Sequence, residues 1–360
     1  MSVYIIAEAG VNHNGSVDRA IELVEAAARA GADAVKFQTF RADAIVSASA
    51  PKAAYQTATT GSAESQLEMV RKLELDRGAH ERIQEACRQH GIEFLSTPFD
   101  LASVDLLVRE LGVPRLKVPS GEVTNAPLLL RVARQRLPLF VSTGMCTLGD
   151  VEDALGVIAF GLSAPEAAAP SREAFRHAFA SGEGQAALRE HVTLLHCTTE
   201  YPAPLAEVNL RAMGTLRHAF GLPVGYSDHT EGITVPVAAA ALGATVIEKH
   251  FTLDRTLPGP DHAASLEPGE LAAMVQGIRE TALALGKPGK RPTAVEAKNV
   301  SVVRKSIVAA RPLARGEVLT EEAITTKRPG GGISPMDFWE AVGREVSRDF
   351  AADEPIRFYK

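Results

Sequence analysis

Three consecutive pieces decide how the chain is read: the run Val3-Tyr4-Ile5-Ile6, the stretch from Val17 to Ala30 closed by Gly31, and the run Ala34-Val35-Lys36-Phe37. The two short runs have the β-branched and aromatic character of strands. The stretch between them places apolar residues at Ala20, Val24 and Ala28, a helical period, and stops at a glycine. Strand, helix and strand in that order imply two parallel strands joined by a right-handed crossover. The same unit then recurs through Glu93-Phe94-Leu95-Ser96, Arg115-Leu116-Lys117-Val118, Leu139-Phe140-Val141-Ser142 and Val192-Thr193-Leu194-Leu195. Val224-Gly225-Tyr226 and Thr245-Val246-Ile247-Glu248 complete eight strand runs. Eight units within residues 1–285 fit an α/β fold of the (β/α)8 TIM barrel type better than an open doubly wound sheet, which usually stops near six strands. Ser163 to Arg189 reads as a helical insertion rich in Ala and Ser ahead of the sixth strand.

After Leu285 the pattern changes. Gly286-Lys287-Pro288-Gly289-Lys290-Arg291-Pro292 resists a continuous helix, so residues 286–300 read as a linker. Residues 301–360 read as a small β-rich domain, with strand-like pieces at Ser306-Ile307-Val308-Ala309, Glu317-Val318-Leu319-Thr320 and Ile356-Arg357-Phe358-Tyr359. So short a domain without disulfides has a marginal core, and it is expected to lean on a barrel, its own or a neighbour's.

Composition excludes several classes. Of the 360 residues, 46% are hydrophobic and 23% charged, which excludes disorder, collagen and coiled coil. The net charge is -6 with no long basic tract, so neither nucleic acid nor an anionic membrane is an expected partner. Ile233 to Ile247, the most apolar stretch, is too short for a bilayer and holds Pro236 and Gly243. Three cysteines, Cys87, Cys146 and Cys197, lack metal-type spacing and suit a reducing cytoplasmic setting. The N-terminal residues carry no basic leader, so no export signal is expected.

In such a barrel the site lies at the C-terminal ends of the strands. Those ends hold Glu8, Lys36, Gln38, Thr97, Lys117, Ser120, Glu122, Ser142, Thr199, Tyr201, Ser227, His229, Glu248 and His250, with Asp261 beyond. Charged side chains are rarely buried unless paired or functional. Lys36 and Lys117, with the hydroxyls of Thr97, Ser120, Ser142 and Ser227, would converge on a small, doubly anionic ligand. The plainer alternative is that the two lysines pair with Glu8 and Glu122. His229 and His250 end neighbouring strands, and two neutral imidazoles with open positions suit Mn²⁺ or a similar divalent ion such as Mg²⁺ or Co²⁺. His13, His196 and His262 read as hydrogen-bonding groups of loops.

The runs Ile5-Ile6-Ala7-Glu8-Ala9-Gly10-Val11-Asn12-His13-Asn14-Gly15, Lys117-Val118-Pro119-Ser120-Gly121-Glu122, Tyr226-Ser227-Asp228-His229-Thr230 and Glu248-Lys249-His250-Phe251 resemble the sialic acid synthase family. So do Leu257-Pro258-Gly259-Pro260-Asp261-His262 and Lys327-Arg328-Pro329-Gly330, which extends the resemblance over essentially the whole chain. It implies a barrel followed by an antifreeze-like (SAF) domain, exchanged between the chains of a domain-swapped homodimer. It implies condensation of phosphoenolpyruvate with an N-acetylated amino sugar. Lys36, Thr97, Lys117, Ser120, Ser142 and Ser227 then match the phosphoenolpyruvate cradle, and His229 and His250 the metal ligands. Thr199 stands where some bacterial members have Asn, and its hydroxyl can still donate to a phosphate. Gln38, Tyr201 and Asp261 match contacts to the open-chain sugar. Arg328 resembles the arginine that the small domain sends into the partner's site.

The chemistry then asks for a divalent ion as Lewis acid towards the sugar aldehyde, and for carboxylates near C2 of phosphoenolpyruvate to move the proton of the added water. Glu8 and Glu122 are the candidates, alongside His229 and His250. Three readings follow. The first is N-acetylneuraminate synthase, acting on N-acetylmannosamine. The second is N,N'-diacetyllegionaminate synthase, acting on 2,4-diacetamido-2,4,6-trideoxymannose. The third is a non-catalytic sugar- or ice-binding protein.

Overall fold

The computed structural model describes residues 3–52, 56–57, 60–61 and 63–358. It divides into two compact units, Met1–Gly286 and Lys287–Lys360.

The first unit is a (β/α)8 barrel. Its strands are β1 Tyr4–Gly10, β2 Ala34–Thr39, β3 Glu93–Pro98, β4 Leu116–Val118, β5 Leu139–Ser142, β6 Val192–Cys197, β7 Val224–Asp228 and β8 Val246–His250. All eight runs read from the sequence are strands, several extended by two residues towards the site end. Pairing is parallel throughout, in the order β3-β2-β1-β8-β7-β6-β5-β4. β3 and β4 lie side by side, but among the described residues no ladder joins them.

Local chemistry explains the crossovers. The helix Val17–Ala30 starts where the Ser16 hydroxyl accepts from the Arg19 amide, and it ends at Gly31 with φ 81°, a conformation that favours glycine. Its buried residues include Ala20, Leu23, Val24 and Ala27, facing the strands. The insertion ahead of β6 is two helices, Arg172–Ala180 and Gly182–His191.

Inside the barrel the strands alternate strictly. Ile6, Ala34, Leu95, Phe140, Leu195 and Val246 form an apolar floor separate from the larger core between strands and helices. β7 contributes Gly225 at this level, because a Cβ there would overlap the Val246 carbonyl and come within 2.7 Å of the Leu195 side chain.

The second unit departs from the sequence reading in three places. The helix Ala294–Val303 runs through the segment read as linker and into the small domain, so the punctuated part ends by Thr293. Its signal is the capping box of Thr293 and Glu296, whose side chain accepts from the Thr293 amide at 2.7 Å. β9, Ser306–Ala309, pairs antiparallel with β10, Ile324–Lys327. The strand-like piece Glu317–Thr320 makes only a bridge at Val318, and the Ile-Thr-Thr run of β10 has the stronger β-branched character. The described part of the piece read at Ile356–Tyr359 is not a strand, and Tyr359 lies outside the described residues. The residue before it, Pro355, makes a bridge to Val308, and its missing N–H cannot extend a ladder. A small core of Ile307, Leu313, Leu319, Ile324, Val346, Phe350 and Ile356 holds these pieces together.

The crowded floor yields a stability test. Gly225→Ala should destabilise the barrel by about 1–3 kcal/mol through overpacking against β8, lowering the thermal midpoint by several degrees. An unchanged midpoint in calorimetry would show that the floor has room.

Candidate active site

Two residues above the apolar floor, every strand turns a polar or polarisable side chain inward: Glu8, Lys36, Thr97, Lys117, Ser142, Cys197, Ser227 and Glu248. The next inward positions add Gln38, Thr199, His229 and His250. With Ser120, Glu122, Tyr201 and Asp261 they line one cavity of about 360 Å³ at the C-terminal ends of the strands. The period of two thus sets the composition of the site: one step up each strand changes Ile6 to Glu8, Ala34 to Lys36 and Val246 to Glu248.

Two lysines and two glutamates dominate the electrostatics. Lys36 Nζ lies 2.6 Å from Glu8 Oε2 and 3.8 Å from Glu248 Oε2, and it donates to Thr97 Oγ1 at 3.2 Å. Lys117 Nζ lies 3.3 Å from Glu248 Oε1, which also accepts from Ser227 Oγ at 3.0 Å. Burial drives the Glu8 carboxyl above its ordinary range against the pull of Lys36, and Glu248 pushes it the same way. Glu248 feels the same burial, but Lys117 and Lys36 outweigh it and hold that carboxyl low. Glu8 is therefore the carboxyl that can hold a proton near neutrality. A protonated Glu8 leaves two lysines facing one carboxylate, a net positive site suited to an anion.

The remaining groups have capacity to spare. Ser142 Oγ and Thr199 Oγ1 are buried without a hydrogen-bond partner among the described residues. Ser120 Oγ accepts from the Gly144 amide at 2.9 Å and lies 3.1 Å from Cys197 Sγ. A Cβ on Gly144 would collide with Thr199 Oγ1 and come within 3.0 Å of both Ser120 Oγ and Cys197 Sγ, so this turn has no room for a side chain.

His229 donates from Nδ1 to the Thr198 carbonyl at 2.5 Å, which leaves its Nε2 as the free lone pair. The His250 ring is 5.5 Å away, centroid to centroid. Its Nδ1 is buried without a hydrogen bond, 3.8 Å from Asp261 Oδ2. Tyr201 packs over both rings, 4.2 Å from His229 and 5.5 Å from His250. Burial lowers the pKa of His229 to about 4 and that of His250 well below its ordinary value, so both imidazoles are neutral at pH 7. Among the described residues no group of three or more His, Cys, Asp or Glu side chains is arranged to hold a metal ion. A divalent ion here would rest on these two neutral imidazoles, one of them with an orphaned buried nitrogen.

The structure thus brings the barrel candidates into one cavity and redraws their pairing. Lys36 does pair with Glu8, but Lys117 pairs with Glu248 rather than Glu122. Glu122 is half-buried on the turn Ser120–Glu122 and accepts from Asn125 Nδ2 at 2.6 Å. Glu248 is the functional-site residue that the sequence reading used only as a neighbour of His250; its parity with Val246 was the available signal. His13, His196 and His262 serve loops: His13 Nδ1 accepts from the Gly15 amide, His196 bonds the Val208 carbonyl and His262 bonds Thr252. Arg328 belongs to the second unit, where it is exposed directly after β10.

Comparison with known proteins identifies the family. The NeuB family profile matches residues 23–290 and the SAF domain matches residues 304–358. The chain belongs to the NeuB family. It is a phosphoenolpyruvate-dependent transferase of the sialic acid synthase type that forms a carbon–carbon bond, which removes the non-catalytic reading. It is 49% identical to an N,N'-diacetyllegionaminic acid synthase of Campylobacter jejuni, covering 98% of both chains. It is 45% identical to a Legionella pneumophila protein of the same description, covering 98% of this chain and 92% of the other. A crystal structure of an N-acetylneuraminic acid synthetase from Leptospira borgpetersenii, in complex with citrate, matches with a TM-score of 0.67 and 31% identity, over 83% of this chain and 90% of that one. Among the described residues no helix is long and apolar enough to cross a membrane.

The lysine pair can be tested directly. Lys117→Met leaves one cation for the anionic substrate and should reduce kcat/KM for phosphoenolpyruvate about 100-fold or more. Steady-state kinetics within threefold of wild type would place the anion elsewhere.

Proposed function

We propose that the chain condenses phosphoenolpyruvate with 2,4-diacetamido-2,4,6-trideoxymannose and water, giving N,N'-diacetyllegionaminate and phosphate. What carries this reading is the full-length similarity to two synthases of that description, at 49% and 45% identity, against 31% for the protein described by N-acetylneuraminic acid. It takes precedence over the N-acetylmannosamine reading made from the sequence. The outer wall of the cavity supports it: Val11, Phe40, Val70, Leu73 and Phe99 line the cavity and cluster there. The diacetamido sugar ends in a methyl at C6 and carries an acetamido group at C4, where N-acetylmannosamine has hydroxyls. An apolar wall accepts the former without leaving hydroxyls unpaired.

Lys36 and Lys117 hold the carboxylate and phosphate of phosphoenolpyruvate, with the hydroxyls of Thr97, Ser120, Ser142, Thr199 and Ser227 as directional partners. Gln38, Tyr201 and Asp261 orient the open-chain sugar so that its aldehyde carbon faces C3 of phosphoenolpyruvate. His229 and His250 would hold a divalent ion such as Mn²⁺, and when bound it supplies Lewis-acid polarisation for the aldehyde. The C3 carbon attacks the aldehyde carbon and positive character develops at C2. Glu248, ionised and fixed by both lysines, stabilises that charge. Glu8 takes the proton of the water that adds at C2 and passes it to the former aldehyde oxygen, which becomes a hydroxyl. The C2 hydroxyl of the tetrahedral intermediate gives its proton to the departing phosphate as the bond between C2 and the phosphate oxygen breaks, leaving the ketone. Glu122, at the rim, is the second candidate for proton transfer. Holding two substrates and a water in line is the main contribution of the rigid barrel.

A second copy of the chain enters the proposal through Arg328, in an exchanged dimer that completes each site with the partner's small domain. Arg328→Ala and His250→Ala should each be inactive alone, whereas mixed dimers formed after verified subunit exchange should recover about a quarter of wild-type activity. No recovery after confirmed exchange would assign Arg328 a role within its own chain or none.

Substrate choice is read by phosphate release with each sugar. The diacetamido sugar should show at least about tenfold higher kcat/KM; the reverse ratio would restore the N-acetylneuraminate reading. Glu8→Gln should lower kcat by about 10²–10⁴ with little change in KM for phosphoenolpyruvate, the mark of a lost proton acceptor. Exhaustive chelation should abolish turnover and Mn²⁺ should restore it; full turnover after chelation would remove the metal from the reaction.

A further inference from the structure

The two strands that carry the histidines also carry, on their outer faces, an ion pair that no step of the reaction uses. Asp228 and Lys249 are register partners on β7 and β8, and their side chains are completely buried. Lys249 Nζ lies 2.5 Å from Asp228 Oδ2 and also donates to the Thr230 carbonyl. Asp228 in turn accepts from the Thr230 amide and the Thr230 hydroxyl, each at 3.1 Å. Thr230 therefore has its amide, its hydroxyl and its carbonyl engaged in this one knot.

His229 stands between Asp228 and Thr230, so both of its chain neighbours are tied to Lys249. His250 follows Lys249 directly. Side chains alternate across a strand, so the pair points away from the cavity while the two imidazoles point into it. A clamp outside the barrel thus fixes the backbone from which each imidazole projects. Stability alone is a weak reason for such a clamp. Desolvating two charges is costly, and replacing a buried pair by apolar side chains of similar volume is often neutral or stabilising.

We infer that the Asp228–Lys249 pair is a positioning device that sets the spacing of His229 and His250, and through that spacing the affinity of the site for a divalent ion. The inference rests on the metal-binding reading given above. Groups that orient metal ligands without touching the ion typically contribute 10–100-fold to affinity.

The test is calorimetric titration of the full-length, metal-free protein with Mn²⁺, beside the thermal midpoint of the same metal-free samples. Asp228→Leu combined with Lys249→Met removes both charges and keeps an apolar volume. It should bind Mn²⁺ about 10–100-fold more weakly while its midpoint stays near or above that of wild type. Asp228→Asn, run in parallel, keeps the side-chain volume and an acceptor for the Thr230 amide. It should weaken binding about tenfold, and it decides the matter if the double variant does not fold. Folded variants that bind Mn²⁺ within threefold of wild type would overturn the positioning role while leaving the metal site intact. Wild-type protein that takes up no Mn²⁺ would overturn the metal reading and this inference together.

Discussion

The pleat of a β-strand, repeated eight times around the barrel, is the constraint on which the rest of the molecule depends. Inward side chains come at every second residue, so the barrel interior is built in layers. A floor of Ile6, Ala34, Leu95, Phe140, Leu195 and Val246 fills the lower layer. One step up, the same strands must present whatever the sequence supplies, and here that is Glu8, Lys36, Thr97, Lys117, Ser142, Ser227 and Glu248. A slip of one residue would exchange a charge for an apolar group on β1, β2 or β4, where the neighbours of Glu8, Lys36 and Lys117 are all apolar. The dry floor is therefore what makes the charged layer costly to disturb: water cannot reach these groups from below, and each must find its partner within the layer.

This layering explains what was readable from sequence. Strand runs, crossover helices and the polar residues at strand ends all follow from local periodicity, and so did the eight-strand count. The helix at Val17–Ala30 carries both of its caps in plain sight at Ser16 and Gly31. The pairing of charges was not readable in the same way. Lys117 on β4 and Glu248 on β8 are joined across the barrel, through a closure that no local pattern encodes. The plainer alternative weighed from the sequence, pairing Lys117 with Glu122, rested on sequence proximity and overlooked a partner far along the chain. In the second unit, short strands with few alternating positions gave weak signals, so β10 was missed and a bridge at Val318 was taken for a strand.

The site also shows how one arrangement of charges can perform two tasks. Glu8 and Glu248 share Lys36, yet their surroundings drive them apart: burial raises the first, and two lysines lower the second. A pair of identical side chains thereby becomes one group able to carry a proton and one fixed negative charge. The histidines show a comparable economy. Burial keeps both rings neutral, the Thr198 carbonyl fixes the tautomer of His229, and Tyr201 packs against both, tilted on His229 and edge-on to His250.

The one junction of the barrel without a ladder has a mechanical meaning. β3 and β4 adjoin without regular pairing, so the sheet has a seam. Thr97 stands on one lip of that seam and Lys117, on the three-residue β4, stands on the other. A ligand gripped by both spans the opening as a stitch spans a cut. Under the proposed binding of phosphoenolpyruvate by these two side chains, the substrate would supply at this junction a tie that the backbone omits.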